Sequence, residues 1–182
     1  MDLWGFSGHL DDPDHEYILK ALQLNPDLSP AHLSRGIAYF RLKRFQEAIA
    51  EFREAIRTNP DDPYARNNMG LVLNETDLHR EALAEFRAAV RIDPNFAVGH
   101  YNLGYTLSGF RRFDEAIEAY RQALHLNPNY VKAHLAQAMA LGEINQWQGA
   151  LRELQETLRL DPNNEQAKQL LPIAQTKAQA TH

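Results

Sequence analysis

The 182-residue chain contains no cysteine. That excludes a disulfide framework, a thiolate metal site, a cysteine nucleophile and a lipid-anchoring cysteine. Positive charge is also short: 19 Lys and Arg stand against 24 Asp and Glu, a formal net charge of -5, which leaves no electrostatic footprint for nucleic acid. No run reaches 18 consecutive apolar residues, so membrane insertion is not expected. The opening stretch MDLWGFSGHLDDPDHEY lacks the basic region and apolar core of a signal peptide, and a cytoplasmic location is expected, any removed upstream signal aside. Catalytic signatures are missing too: there is no GxxxxGK loop, HExxH helix or GxGxxG turn, and Ser7 in WGFSGH does not sit in a GxSxG elbow. The expectation is a protein that is not an enzyme and needs no cofactor.

What the chain has is repetition. Its 44% hydrophobic and 24% charged residues suit a folded core. Pro26, Pro60, Pro94, Pro128 and Pro162 follow one another at intervals of 34 residues. Proline removes a backbone donor and pushes the preceding residue out of the helical region, so each marks the end of a helix. Asp27, Asp61, Asn95, Asn129 and Asn163 follow these prolines and are expected to cap the next helix.

Counted from Ser29, Pro63, Ala97 and Val131 as position 1, small residues align. Position 8 reads Gly36, Gly70, Gly104 and Ala138; position 20 is always alanine; position 27 reads Ala55, Ala89, Ala123 and Thr157. Position 24 holds the bulk: Phe52, Phe86, Tyr120 and Leu154. Positions 4, 7, 8 and 11 share one helical face and 20, 24, 27 and 28 another, so each repeat is predicted to be a helical hairpin.

This pattern of small, large and proline positions at a 34-residue period resembles the tetratricopeptide repeat. The resemblance implies an all-α fold, a right-handed α-solenoid of stacked helix-turn-helix hairpins. It implies repeats at residues 29–62, 63–96, 97–130 and 131–164. Residues 1–28 form an N-terminal segment with a partial degenerate repeat, its second helix starting at Pro13 with Asp12 as cap. Residues 165–182 form a capping helix and tail, which Pro172 should kink or shorten. The family's Trp at position 4 is replaced by His32, Arg66, His100 and His134, and its Gly at position 15 by Lys43, Asp77, Arg111 and Asn145. The second change predicts turns that are strained or differently built.

A second stripe on the first helix, positions 2, 5, 6, 9, 12 and 13, lies beside the packed one. By the resemblance it lines a concave groove that holds a peptide or partner helix. The candidate binding residues are Leu33, Ile37, Phe40, Tyr64, Asn67, Asn68, Leu71, Tyr101, Asn102, Tyr105, Lys132, Leu135 and Met139. Their apolar area favours a partner, and the carboxamides of Asn68 and Asn102 both donate and accept, as a peptide backbone requires. Chaperone-tail binding is not expected, since only Asn102 and Lys132 match the residues that such members use. His32, His100 and His134 share position 4 through repetition and are read as structural, because equivalent side chains on stacked helices start too far apart for one zinc ion. The basic pairs Lys43–Arg44 and Arg111–Arg112 are read as solvated turns. The function expected is a protein-interaction scaffold; self-association into a homo-oligomer, with MDLWGF or the tail as the inserted segment, and the recognition arm of a larger enzyme are the alternatives.

Overall fold

A computed structural model describes residues 13–180, which form ten α-helices and no strand. Asp12 and the MDLWGF segment lie outside the described residues. The chain divides into two compact units, Met1–Asp93 and Pro94–His182. The first unit holds α1 (Pro13–Leu24), α2 (Ser29–Arg41), α3 (Phe45–Thr58), α4 (Pro63–Glu75) and α5 (His79–Ile92). The second holds α6 (Ala97–Gly109), α7 (Phe113–Leu126), α8 (Val131–Glu143), α9 (Trp147–Leu160) and α10 (Glu165–Gln179). In each unit consecutive helices pack as antiparallel-type hairpins, α2 on α3 and α4 on α5, then α6 on α7 and α8 on α9. Neighbouring hairpins are joined through α3 and α4, and through α7 and α8, while α10 closes against α9.

Packing inside each hairpin explains the alignment of small and large residues. The rings of Phe52, Phe86 and Tyr120 are buried to 1% exposure or less. Each lies against the glycine at position 8. A Cβ placed on Gly36, Gly70 or Gly104 would come within 2.5, 2.7 or 2.6 Å of the ring, so only a bare backbone admits it. The last hairpin trades both partners at once, with Ala138 facing the smaller Leu154 in a cluster that also takes Ala167 and Ala174 from α10.

Between hairpins the chain turns at the proline, and here the expectation about caps needs correcting. The residue after the proline is not the N-cap; that role falls one residue later, to Leu28, Asp62, Phe96, Tyr130 and Asn164. Only Asp62 and Asn164 cap with a side chain. The Asn or Asp before the proline does the work instead. Asn25, Asn127 and Asp161 accept from the amide two residues on, at 3.1, 3.2 and 3.2 Å. These are Asx turns, and the carbonyls of Asn25, Asn59, Asn127 and Asp161 also accept from the amide three residues on.

Within the hairpins, Lys43, Asp77, Arg111 and Asn145 all adopt positive φ, from 57 to 60°. The amide of each bonds the carbonyl three residues back, and the following amide bonds the carbonyl five residues back. That is the Schellman ending of a helix, which usually places glycine at this point. The turns are therefore built in the glycine manner with non-glycine residues held in the left-handed region. Pro172 does not shorten α10, which runs through it for 15 residues. Among the described residues no helix is long and apolar enough to cross a membrane.

Candidate protein-interaction surface

The first helices of successive hairpins touch within each unit, α2 with α4 and α6 with α8, so their outer faces form a wall in each. In the first unit this wall is largely half-buried. Leu33, Ile37 and Phe40 on α2 and Asn68 and Leu71 on α4 are partly covered, and Phe40 leans on Phe45 with ring centroids 6.1 Å apart. Tyr64 stands out at 55% exposure. The Asn68 carboxamide donates to the Tyr64 carbonyl at 2.8 Å, which spends a donor on its own helix. Asn67 corrects the expected set: at 5% exposure it is buried. Position 5 borders the packed stripe, where a long side chain emerges and a short carboxamide stays beneath.

The second unit presents the more open wall. Val98 and Tyr105 on α6 and Met139 on α8 are 43, 61 and 45% exposed. Lys132 is exposed, while Asn102 and Leu135 are half-buried, the latter against the α9–α10 cluster. Tyr101 ties the wall to the hairpin behind it, with its ring 6.4 Å from Tyr105, 6.0 Å from Tyr120 and 5.0 Å from Tyr130. Burial, reinforced by Tyr105, raises the Tyr101 phenol above its ordinary value, and burial pushes Tyr130 up to about 12. These phenols stay neutral O–H donors across the physiological range. Two wall residues escaped sequence reasoning: Ile173 on α10, 51% exposed, and Gln166, which donates to Met139 Sδ at 3.3 Å. The 34-residue count, carried one repeat further, places Ile173 at position 9, the register of Tyr105 and Met139.

The position-4 residues are committed to the fold. Nε2 of His32, His100 and His134 lies 2.8, 3.0 and 2.9 Å from the carbonyls of Pro26, Pro94 and Pro128. Nδ1 of His32 and of His134 meets Glu51 and Glu153, at 2.8 and 2.7 Å. Arg66 makes the same pair of contacts, to the Pro60 carbonyl and to Glu85. Each thus joins the turn before its helix to position 23 of its own hairpin, and the third repeat, with Ala119 there, keeps only half the bridge. The basic turn residues are likewise engaged locally: Arg44 pairs with Glu47 and covers the Tyr39 ring, and Arg112 pairs with Glu115.

Helical hairpins of constant length, each locked by a small residue under a ring and separated by a proline turn, define a helical repeat protein. Tetratricopeptide repeat models match residues 16–63 and 33–95 and, separately, 97–130. The chain belongs to the tetratricopeptide repeat family. A comparison with curated protein sequences finds no match. Among solved structures it is similar to YrrB, described as a TPR protein with an unusual peptide-binding site, with 21% identity, a TM-score of 0.72, and coverage of 85% of this chain and 79% of that one. It is also similar to MamA from Desulfovibrio magneticus (22%, TM-score 0.72, 82% and 85%). A third match is the first TPR of Spaghetti (RPAP3) bound to the HSP90 peptide SRMEEVD (22%, TM-score 0.61, 66% and 93%). At these identities the likeness is one of fold.

Proposed function

We propose that the protein is a non-enzymatic interaction module that holds a peptide or helix of a partner protein against the first-helix wall, helping to assemble a larger complex. One observation carries this reading: Val98, Tyr105 and Met139, each more than 40% exposed, stand together on touching helices beside Tyr101. Apolar side chains gathered in this way mark interaction sites more often than bare surface. The descriptions of YrrB and of the RPAP3 domain as peptide-binding or peptide-bound are in keeping with it. Covering the exposed part of one tyrosine, roughly 100 Å², is worth about 2.5 kcal/mol before binding costs. The double variant Tyr105→Ala, Met139→Ala should therefore lose partner capture from lysate while keeping its helical content and melting temperature. Retained capture by a folded double variant would move the function off this wall.

Self-association has its own supporting observation. Tyr17 and Leu24 on α1 are 76 and 81% exposed, seven residues apart on one helical stripe. A second copy that covers this stripe would shift the sedimentation coefficient with concentration, and a monomer at high concentration would exclude it.

A further inference from the structure

A cleft of about 450 Å³ opens in the second unit between α7, α8 and α9, and it shares no residue with the first-helix wall. Its lining is rich in donors. Arg152 on α9 has no ion-pair partner among the described residues, and Arg121 on α7 has only an exposed contact with Glu118 at 3.6 Å. The one carboxylate in the lining, Glu153, is held by His134 Nδ1 at 2.7 Å. The start of α9 forms another side of the cleft, with Gln148 and Gly149. The first-turn amides of a helix have no partner within it, and Gln146 provides no side-chain cap here. Such a helix end favours an anion.

The repeats themselves show which anion suits this place. Position 19, in the first turn of the second helix, is Glu47, Glu81 and Glu115 in the first three hairpins and Gly149 in the fourth. Glu47 and Glu115 pair with Arg44 and Arg112 at 2.8 and 2.6 Å. Among α3, α5, α7 and α9, only α9 has no acidic residue in its first turn. The arginine of position 16 is Gln146 in this hairpin, and Arg121 and Arg152 bring guanidinium groups to the cleft instead. A second observation is independent of the helix end. Gln137, 5% exposed, lines the same cleft, and its Oε1 meets no hydrogen-bond partner among the described residues. A buried carboxamide left unpaired costs stability, and a ligand that carries both an N–H and an oxygen satisfies either end of it. An acidic residue of a peptide has both: a carboxylate for the arginines and the helix amides, and a backbone N–H for the carboxamide.

We propose that this cleft is a second binding site, which takes an acidic side chain of a partner protein, its carboxylate held at the start of α9 by Arg121, Arg152 and the amides of Gln148 and Gly149, beside Gln137. The test titrates the full chain by NMR with the tripeptide Ala-Glu-Ala, acetylated and amidated, and with Ala-Gln-Ala blocked in the same way as the control. The glutamate peptide should shift the backbone amides of Gln148 and Gly149 and the side-chain amide of Gln137. Arg152→Gln should weaken it by about fivefold. Gly149→Glu gives α9 the carboxylate that the other hairpins carry, at a site where a Cβ meets the tip of Leu141 at 3.2 Å. That variant should stay folded by circular dichroism and lose the peptide. Absence of the shifts, equal shifts from the glutamine peptide, or undiminished binding by folded Gly149→Glu overturns the proposal. Inorganic phosphate, or Ala-Gln-Ala with a free terminal carboxylate, acting at lower concentration than the glutamate peptide also overturns the assignment to an acidic side chain. The Tyr105→Ala, Met139→Ala variant leaves the cleft intact and should bind the glutamate peptide as the parent does, so this site and the wall fail separately.

Discussion

Gly70→Ala tests the packing that holds each hairpin together. A Cβ at Gly70 would stand 2.7, 2.8 and 2.9 Å from three atoms of the Phe86 ring, and that ring is fully buried, so it has nowhere to retreat. Overpacking of this kind costs about 1–3 kcal/mol. Replacing a mid-helix glycine by alanine returns about 1 kcal/mol of helix propensity, so the single variant should lose about 0–2 kcal/mol net. Phe86→Leu alone should cost a similar amount, about 1–1.5 kcal/mol, by leaving space beside the glycine. The double variant reproduces the Ala138–Leu154 pair already present in the fourth repeat, and it should be more stable than the sum of the singles by about 1 kcal/mol or more. Urea midpoints of the four proteins give the cycle directly. Each kcal/mol corresponds to about 2–4 °C in melting temperature for a chain of this size. Strictly additive losses in the double variant would refute the ring-on-glycine account.

Three further outcomes follow from local geometry. Lys43→Gly should raise the stability by about 1 kcal/mol, read as a higher melting temperature, because Lys43 holds φ at 57° and its exposed side chain has no ion-pair partner among the described residues. His134 has its pKa raised first by the hydrogen bond from its ring to Glu153, so the stability it contributes is fully present below about pH 6.5 and is lost as the pH climbs through the raised value. The stability difference between the parent and His134→Asn should therefore shrink from pH 6 towards alkaline pH, and a constant difference in urea midpoint would contradict the imidazolium bridge. Gln137→Met should stabilise by about 1 kcal/mol in the same assay, since the buried Gln137 Oε1 has no hydrogen-bond partner among the described residues and two of the three equivalent positions, Met69 and Leu103, are apolar, the third being Arg35.

The hairpins were legible because the sequence states the same constraint several times. Pro26 alone would mark a helix end; five prolines at one interval fix the period and therefore the pairing of Gly36 with Phe52, of Gly70 with Phe86 and of Gly104 with Tyr120. The cap assignment failed by one residue for a physical reason. Asp and Asn occur on both sides of the proline, and only the backbone path shows that Asn25, Asn127 and Asp161 close Asx turns while the second residue after the proline carries the N-cap role. Position 15 was expected to leave its turns strained or differently built, and the structure has the strained form. The Schellman hydrogen bonds of the hairpin leave one conformation for Lys43, Asp77, Arg111 and Asn145 whatever their preference.

The wall was less legible because it obeys no repeated rule. Position 9 is half-buried at Ile37 and Leu71 but exposed at Tyr105, Met139 and Ile173. Position 5 buries Asn67 yet lets Tyr101 lean across three other tyrosines. Helical periodicity assigns a residue to a face, but exposure on that face depends on side-chain length and on what the neighbouring helix places opposite. Residues that repeat, such as the position-4 histidines with their proline carbonyls, are held by the same neighbour each time. Residues that vary along the stack meet no such fixed neighbour, and Tyr105, Met139 and Ile173 are three different solutions to presenting an apolar tip at one register. In a repeat protein the scaffold is therefore read from what recurs, and a binding surface is sought where one register keeps its exposure while its residue type changes.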